Sequence, residues 1–318
     1  VSESTIVVIG NANVDLTIYL ESLPADGETV LGHDFTIGMG GKGANQAVAV
    51  ARAGGEVSFV GRVGTDAFGA LVLEHLGREG LALEHLEQIP GKSGVASIYV
   101  DAKGSNRIAV YPGASGTIDA EVARSAVAQH AGLRYLVSQL EIPQDAVLAA
   151  LETAKHLGAT TVLNIAPYST LKATMLENTD WLVANEGEIE ALVRAHNLPP
   201  SAALTPEALT QALPQWANAL GCNIVVTLGA KGAVGHVPGE EPFWCSSPPV
   251  TALDTVGAGD CFVGYFVTFL DQGLSWQQAL AGGVIAASES VQRSGAQSSY
   301  PEKTHVQRIR TQAIQNKD

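Results

Sequence analysis
The run Asp254-Thr255-Val256-Gly257-Ala258-Gly259-Asp260 sets two carboxylates around five small residues. It leads into an apolar helical pattern at Cys261, Phe262, Gly264, Phe266 and Phe269. Glycines let backbone approach a ligand closely and turn several N–H groups toward one point. A helix that begins there adds its positive end. Such a turn suits a phosphate or a developing anion, and a carboxylate at Asp260 is out of place there unless it accepts a proton. Gly257, Ala258 and Gly259 as an anion hole, with Asp260 as general base, are equipment for phosphoryl transfer to a hydroxyl. A tight turn with an N-capping Asp is the plainer alternative. It accounts for a short Gly-x-Gly-Asp but leaves the longer string without a reason.

A second glycine-rich run, Gly38-Met39-Gly40-Gly41-Lys42-Gly43-Ala44-Asn45-Gln46, opens a helical pattern. Gly38, Gly40 and Gly43 fit Gly-x-Gly-x-x-Gly, with Glu56 as a candidate acid for a dinucleotide ribose. The run does not end the first strand, however, and it lacks the Gly-Lys-Ser/Thr of a Walker A loop. Lys42 and Asn45 can face a polyhydroxylated ligand: Lys supplies charge and three donors, Asn a donor and an acceptor. Asn13 and Asp15 stand at spacing two and share one face of extended chain. The pair suits adjacent hydroxyls or, with equal weight, an Asx turn. Glu141 ends the apolar run 136–140, as a ligand or as a surface charge. In Thr227-Leu228-Gly229-Ala230-Lys231-Gly232, the Thr, the backbone amides and Lys231 can hold phosphate oxygens, or the segment is a simple hairpin turn. Asn185-Glu186-Gly187-Glu188 and Arg293-Ser294-Gly295-Ala296-Gln297-Ser298-Ser299 are further polar segments.

These residues need a frame, and the hydrophobic pattern supplies one. Strands are predicted at Ile6–Ile9, 57–60, 135–139, 161–164, 181–184 and 224–228. Helices are predicted at 43–53, 67–79, 144–157 and 186–196. This alternation implies a parallel sheet covered by helices on both faces. Ligands bind such sheets beyond the carboxyl ends of the strands, and that is where Asn13, Asp15, Glu141, Asn185 and Gly229 fall. Two segments break the alternation. Residues 13–37 read as extended pieces at 16–20 and 29–37, and residues 93–110 read as a hairpin of 95–100 and 107–110 around a turn at 101–104. They are expected to form a small β-sheet, either a cover over the site or an edge extension. Residues 199–210 read as a loop, and the tail after Pro301 as one surface helix with a frayed end.

Composition narrows the partners. A chain of 318 residues with 46% apolar content buries a full core. The net charge of −14 argues against nucleic acid or an anionic membrane. No apolar run is long enough to span a membrane. The start, Val-Ser-Glu-Ser, lacks the basic region of a secretion signal. Cys222, Cys245 and Cys261 are odd in number and lack metal-ligand spacing, so a reduced, cytoplasmic setting is expected.

The strings at 40–46 and 254–260 resemble the two signatures of the ribokinase (phosphofructokinase-B) family of sugar kinases. The resemblance runs in order from about Ile6 to Pro301. It implies one αβα domain over 1–318 with a largely parallel sheet and a β lid from about 13–37 and 93–110. It also implies ATP-dependent phosphorylation of D-ribose at O5, with Asp260 as base. By the same resemblance Asn13, Asp15, Gly41, Lys42, Asn45, Glu141 and Asp254 hold the sugar. Asn185, Thr227, Gly229, Lys231, Gly232 and Gly259 hold ATP. Glu188 acts through water on Mg2+, which comes with ATP. Asp254, Val256, Ser290, Arg293, Gly295 and Ser299 surround an activating K+, and the lid pairs two copies into a homodimer. Departures are Ile165 in Asn164-Ile165-Ala166-Pro167 where the family commonly has Pro, Cys261 where Thr is frequent, and Gly282-Gly283-Val284 where an Asn often meets adenine. Sibling kinases for deoxyribose, a nucleoside or another sugar share these signatures. A dinucleotide-dependent oxidoreductase leaves 254–260 without a role, and a silent sugar-binding regulator leaves the base without one.

Overall fold
The computed structural model describes residues 5–172 and 174–316. Its strands are β1 (Ile6–Ile9), β2 (Asn13–Leu20), β3 (Gly32–Gly40), β4 (Val57–Gly64), β5 (Leu86–Ile89), β6 (Gly94–Val100), β7 (Asn106–Tyr111), β8 (Tyr135–Ser138), β9 (Thr160–Asn164), β10 (Trp181–Asn185), β11 (Asn223–Thr227), β12 (Ala233–His236) and β13 (Phe243–Cys245). Its α-helices are α1 (Lys42–Arg52), α2 (Ala67–Arg78), α3 (Ala120–Ala128), α4 (Gln144–His156), α5 (Glu186–Ala195), α6 (Pro206–Leu220), α7 (Ala258–Asp271), α8 (Trp276–Ser290) and α9 (Val306–Gln315).

The large sheet has the order β13-β12-β11-β10-β9-β8-β1-β4-β5. Pairing is parallel from β11 to β5 and antiparallel at β11–β12 and β12–β13. Successive strand residues face opposite sides. Ile6 and Val8 therefore join the core beneath α1, α2, α7, α8 and α9, while Val7 and Ile9 join the core beneath α3, α4, α5 and α6. Because both faces are covered, the central parallel strands carry continuous apolar runs, as 136–137 and 224–226 illustrate. Each such side chain contributes roughly 1.5–3 kcal/mol through burial.

A second sheet, of order β3-β2-β6-β7, stands apart from the first. It is built from the two segments that broke the βα alternation. Its strands are antiparallel except for the parallel pair β2–β6. The expected class, three αβα layers with a mainly parallel sheet and a small separate sheet, is the observed one.

Three sequence expectations need correction. The stretch 199–210 is not all loop, because Thr205 caps α6, accepting from Ala208 N, and Pro206 takes its first position. The Pro and Thr that suggested a loop are helix-start residues. The tail helix α9 is not purely a surface element, since Ile309 and Ala313 are fully buried. Gly38 and Gly40 do not form a ligand-binding turn. They are ladder residues of β3 opposite Asp15 and Asn13. A Cβ on Gly40 would stand 2.1 Å from an Asp15 carboxylate oxygen, so glycine there makes room for that carboxyl. The readings of residues 1–4 as leaderless and of the extreme C-terminus as frayed fall outside the described residues. Among those residues no helix is long and apolar enough to cross a membrane.

Candidate active site
Helices α1 and α7 start side by side at the carboxyl ends of the parallel strands. Two close approaches put them there. Near the start of α1, a Cβ on Gly43 would meet Asn11 N and Gly10 Cα at 2.7 Å. Further along, a Cβ on Gly264 of α7 would meet Ala49 Cβ at 2.3 Å and Val50 N at 2.8 Å. Helices that touch through backbone sit closer than the usual 8–10 Å. Consecutive residues Asn45 and Gln46 of α1 thereby reach Asp260 in the first turn of α7.

Asp260 is only 5% exposed, and both its oxygens are engaged. Asn45 Nδ2 donates to Oδ2 and Gln46 Nε2 to Oδ1, each at 2.9 Å. Gln46 is itself held: its Nε2 also donates to Asn164 Oδ1 at 3.0 Å, and its Oε1 accepts from Gln139 Nε2 at 2.6 Å. Asn45 Oδ1 accepts from Gln297 Nε2 at 2.9 Å, and Gln297 Oε1 lies 2.7 Å from His75 Nε2. Asn45, expected on the sugar, thus has its side chain on the carboxylate. Sequence reasoning assigned no role to Gln46, Gln139, Asn164, Gln297 or His75. Gln46 and Gln297 stood inside the quoted strings, but an amide in a string carries no sign of what it faces.

Gly257 adopts φ 74°, a left-handed geometry, just before α7. A Cβ there would meet Tyr300 Oη at 2.7 Å and Ala296 Cβ at 2.8 Å, so position 257 requires glycine. Tyr300 Oη donates to Gly257 O at 3.0 Å, and burial holds this phenol well above its usual range, as a protonated donor. No atom crowds the Cα of Gly259, which faces a cavity. Of the first N–H groups of α7, that of Ala258 donates to Thr255 O at 3.3 Å, and those of Gly259 and Asp260 lack partners inside the helix.

That cavity, about 200 Å³, is lined by Lys42, Asn185, Glu188, Thr227, Gly257 and Asp260 among others. Lys42, expected on the sugar, lines this polar space beside Asp260. Asp260 foremost, then Glu141 and Glu188, raise its pKa against the opposing effect of burial. Its backbone N–H donates to Glu141 Oε2 at 2.9 Å. Glu188 is partly structural. Its Oε2 accepts from Asn185 N at 2.8 Å while Asn185 Oδ1 accepts from Glu188 N at 2.9 Å, a capping box that starts α5. Burial foremost raises the Glu188 pKa, and Lys42 opposes this. Among the described residues no three His, Cys, Asp or Glu side chains cluster as a metal cage. One carboxylate on a polar cavity fits a Mg2+ held mainly by phosphate oxygens and water.

A larger cavity of about 620 Å³ adjoins the first and shares Asn185, Thr227, Thr255 and Gly259 with it. Gly229 and Gly232 line it as expected. Lys231 is exposed and lines neither cavity, its carbonyl accepting from Trp244 Nε1 at 2.9 Å. Much of the wall is apolar and was not legible in the sequence: Pro248, Pro249, Val250, Phe262, Val284 and Ala287. A wall of this composition suits a weakly polar group. Val284, from the Gly282-Gly283-Val284 segment, is one of these residues.

Asn13, Asp15, Gly41 and Glu141 form a second group around the turn into α1. Asn13 is buried, and its Oδ1 has no hydrogen-bond partner among the described residues. A buried amide oxygen without a donor is costly, and a ligand hydroxyl would satisfy it. Burial foremost, then Glu141, pushes the Asp15 carboxyl up to about 7. Gly41, at φ 89°, makes the turn between β3 and α1.

Asp254 does not point to one ligand. Its Oδ1 accepts from Val256 N at 3.0 Å and its Oδ2 from Gly295 N at 2.8 Å, which ties two loops together. Gly295 sits at φ 87°, Val256 is half exposed, and Ser290 and Ser299 are buried. Ser290 O accepts from Arg293 N at 3.1 Å. The candidate monovalent-cation residues are therefore neighbours, with Asp254 as their one carboxylate.

The model of the pfkB family carbohydrate kinases matches residues 3–303. The chain is 35% identical over 308 residues to a ribokinase of Schizosaccharomyces pombe, covering 95% of this chain and 96% of that protein. It is equally 35% identical, over 298 residues, to a deoxyribokinase of Salmonella typhi, covering 93% and 95% of the two chains. Among solved structures it superposes on an Arabidopsis thaliana ribokinase complexed with ribose and ATP. The TM-score there is 0.85 at 30% identity, with 96% of this chain and 98% of that one covered.

Proposed function
As the chain belongs to the pfkB family of carbohydrate kinases, we propose that it transfers the terminal phosphoryl group of ATP to O5 of D-ribose, giving ribose 5-phosphate and ADP. The observation that carries this reading is Asp260. It is a buried carboxylate held by two amides in the first turn of a helix, directly after a left-handed glycine turn and on a polar cavity. Sugar hydroxyls meet Asn13, Asp15, Gly41 and Glu141. Asp260 takes the O5 proton as the oxygen attacks phosphorus. The N–H groups at Gly257, Ala258 and Gly259 and the Lys42 ammonium stabilise charge on the transferred group. ATP lies in the larger cavity between Asn185, Thr227, Gly229 and Gly232. Glu188 would hold a Mg2+ through water, and the ion would supply charge to neutralise the phosphates. The three cysteines are free and buried, which supports a reducing, cytoplasmic setting.

The test is ADP release from ATP over a panel of ribose, 2-deoxyribose, fructose and nucleosides. Ribose should give the highest kcat/KM. A preference for 2-deoxyribose would move the assignment to the sibling activity of the Salmonella relative, and no sugar-dependent ADP release would overturn it.

Asp15 gives the sugar site a pH dependence. Its carboxyl is raised above the unfolded value, so the unliganded fold loses stability as pH rises from about 4 through about 7. Ribose hydroxyls donate to the ionised form, so binding gains where the fold loses. The KM for ribose should rise by about tenfold from pH 8 to pH 6, with the KM for ATP nearly unchanged. Asp15→Asn should raise the ribose KM at every pH and flatten this dependence. A wild-type ribose KM independent of pH would remove Asp15 from the sugar site.

We assign Asp254, Val256, Ser290, Arg293, Gly295 and Ser299 to a monovalent cation, held mostly by main-chain oxygens. Turnover should be higher in K+ than in Na+ at matched ionic strength, and equal rates would remove the site.

The small sheet forms a lid and a homodimer interface. Its edge strands expose Phe35 and Ile37 on β3 and Ile108 and Val110 on β7, each by more than half. The register puts Phe35 and Ile37 on one face and Ile108 and Val110 on the other, and a small sheet with exposed apolar residues is marginal alone and tends to be covered. Light scattering in dilute solution should give twice the chain mass of 33.0 kDa. A monomer at micromolar concentration would count against the pairing.

A further inference from the structure
Asp260 receives its two hydrogen bonds from two separate amide chains. One runs from His75 through Gln297 and Asn45 to Oδ2, at 2.7, 2.9 and 2.9 Å. The other runs from Gln139 through Gln46 to Oδ1, at 2.6 and 2.9 Å, with Asn164 accepting the second Gln46 proton at 3.0 Å. Asn164 is in turn anchored, its Nδ2 donating to Val183 O at 3.1 Å. We infer that Gln297 and Gln46 are positioning residues for the transfer step, each holding Asp260 in the one rotamer that faces the acceptor hydroxyl.

The hydrogen-bond directions support this assignment. A carboxylate only accepts, so Asn45 and Gln46 must both turn their NH2 groups toward it. That choice leaves Asn45 Oδ1 and Gln46 Oε1 facing away, each in need of a donor. Gln297 and Gln139 supply those donors, and neither amide can flip without breaking two bonds. A neutral amide fixes a carboxylate without stabilising its charged form as strongly as a salt bridge does. Such a bracket suits a group that must still take a proton. Alignment within a fraction of an ångström decides how much of the barrier positioning removes.

Gln297 has a second connection. It belongs to the segment 295–300, which also gives Asp254 the Gly295 N–H at 2.8 Å and gives Gly257 the Tyr300 hydroxyl at 3.0 Å. One short segment therefore contacts the start and the middle of the 254–260 string and, through Asn45, the Asp260 carboxylate at its end. A shift in this segment displaces the anion turn and the base together.

The inference rests on the base role of Asp260 proposed above, and a double-mutant cycle separates the two. Gln297→Met keeps the length of the side chain and removes the amide. Its kcat should fall by about tenfold or more while the KM values for ribose and ATP stay within about threefold. In the Asp260→Asn background the same change should cost no more than about twofold, because there is no base left to aim. His75→Phe, at the outer end of the chain, should show the same pattern with a smaller fall, and it serves if Gln297→Met folds poorly. Equal losses in both backgrounds, or full turnover in Gln297→Met and His75→Phe, would overturn the positioning role alone. Wild-type turnover in Asp260→Asn would overturn the base assignment and this inference with it.

Discussion

Asp260→Asn should lower kcat by about a hundredfold or more, the scale expected when a positioned general base is lost. Ribose binding measured by calorimetry should change little, since the sugar contacts assigned to Asn13, Asp15 and Glu141 remain. The structure gives the substitution a clean character. The introduced amide still fits between Asn45 and Gln46, and its Oδ1 can accept one of their two donors. The other donor then meets an NH2 group, so a modest loss of stability of roughly 1–3 kcal/mol accompanies the loss of chemistry. Thermal unfolding and turnover must therefore be measured together. A variant that melts a few degrees lower yet turns over at the wild-type rate would take Asp260 out of the mechanism.

The parts of the fold legible in the sequence were those with local causes. The runs at Ile6–Ile9 and 181–184 are apolar at every position because a parallel strand is buried on both faces, and that pattern needs no partner to be recognised. The helix over 144–157 declared itself by its period. The α6 start misled because Thr205 and Pro206 signal a loop or a cap with the same letters. In the site, the string 254–260 was readable because glycines and a carboxylate in close order have few other uses. The sites of Lys42 and Asn45 were harder. Both lie at a helix start near the ligand, but which way each side chain turns depends on Asp260, more than 200 residues later. Neighbouring charge decides for Lys42, which faces Asp260 and Glu188. Hydrogen-bond supply decides for Asn45, which sits between Gln297 and Asp260. The apolar wall at Pro248, Phe262 and Val284 comes from three unrelated segments and has no sequence signature.

Gly264→Ala should damage the enzyme although residue 264 lies a full helical turn from Asp260 and touches no proposed ligand. Glycine inside a helix normally costs up to about 1 kcal/mol relative to alanine, so on propensity alone the change should stabilise α7. Packing opposes this and should win. The new methyl would sit 2.3 Å from Ala49 Cβ and 2.8 Å from Val50 N, and neither can swing aside, because one is a Cβ and the other is backbone. Overpacking of this kind costs typically about 1–3 kcal/mol. The relief available is for α1 and α7 to part. Parting carries Asn45 and Gln46 away from Asp260, since those residues ride on α1 one turn before Ala49. A displacement near an ångström can cost about a hundredfold in rate. The expected result is a lower melting temperature together with a kcat reduced by at least about tenfold, at ribose and ATP KM values close to wild type. Gly282→Ala, whose Cβ would meet the Phe269 ring at 2.3 Å on the α7–α8 side, is the control. It overpacks α7 without touching α1, so it should lower the melting temperature and spare most of kcat. Equal kinetic damage from the two substitutions would mean that general loosening of α7, and not the α1–α7 spacing, sets the geometry of the base.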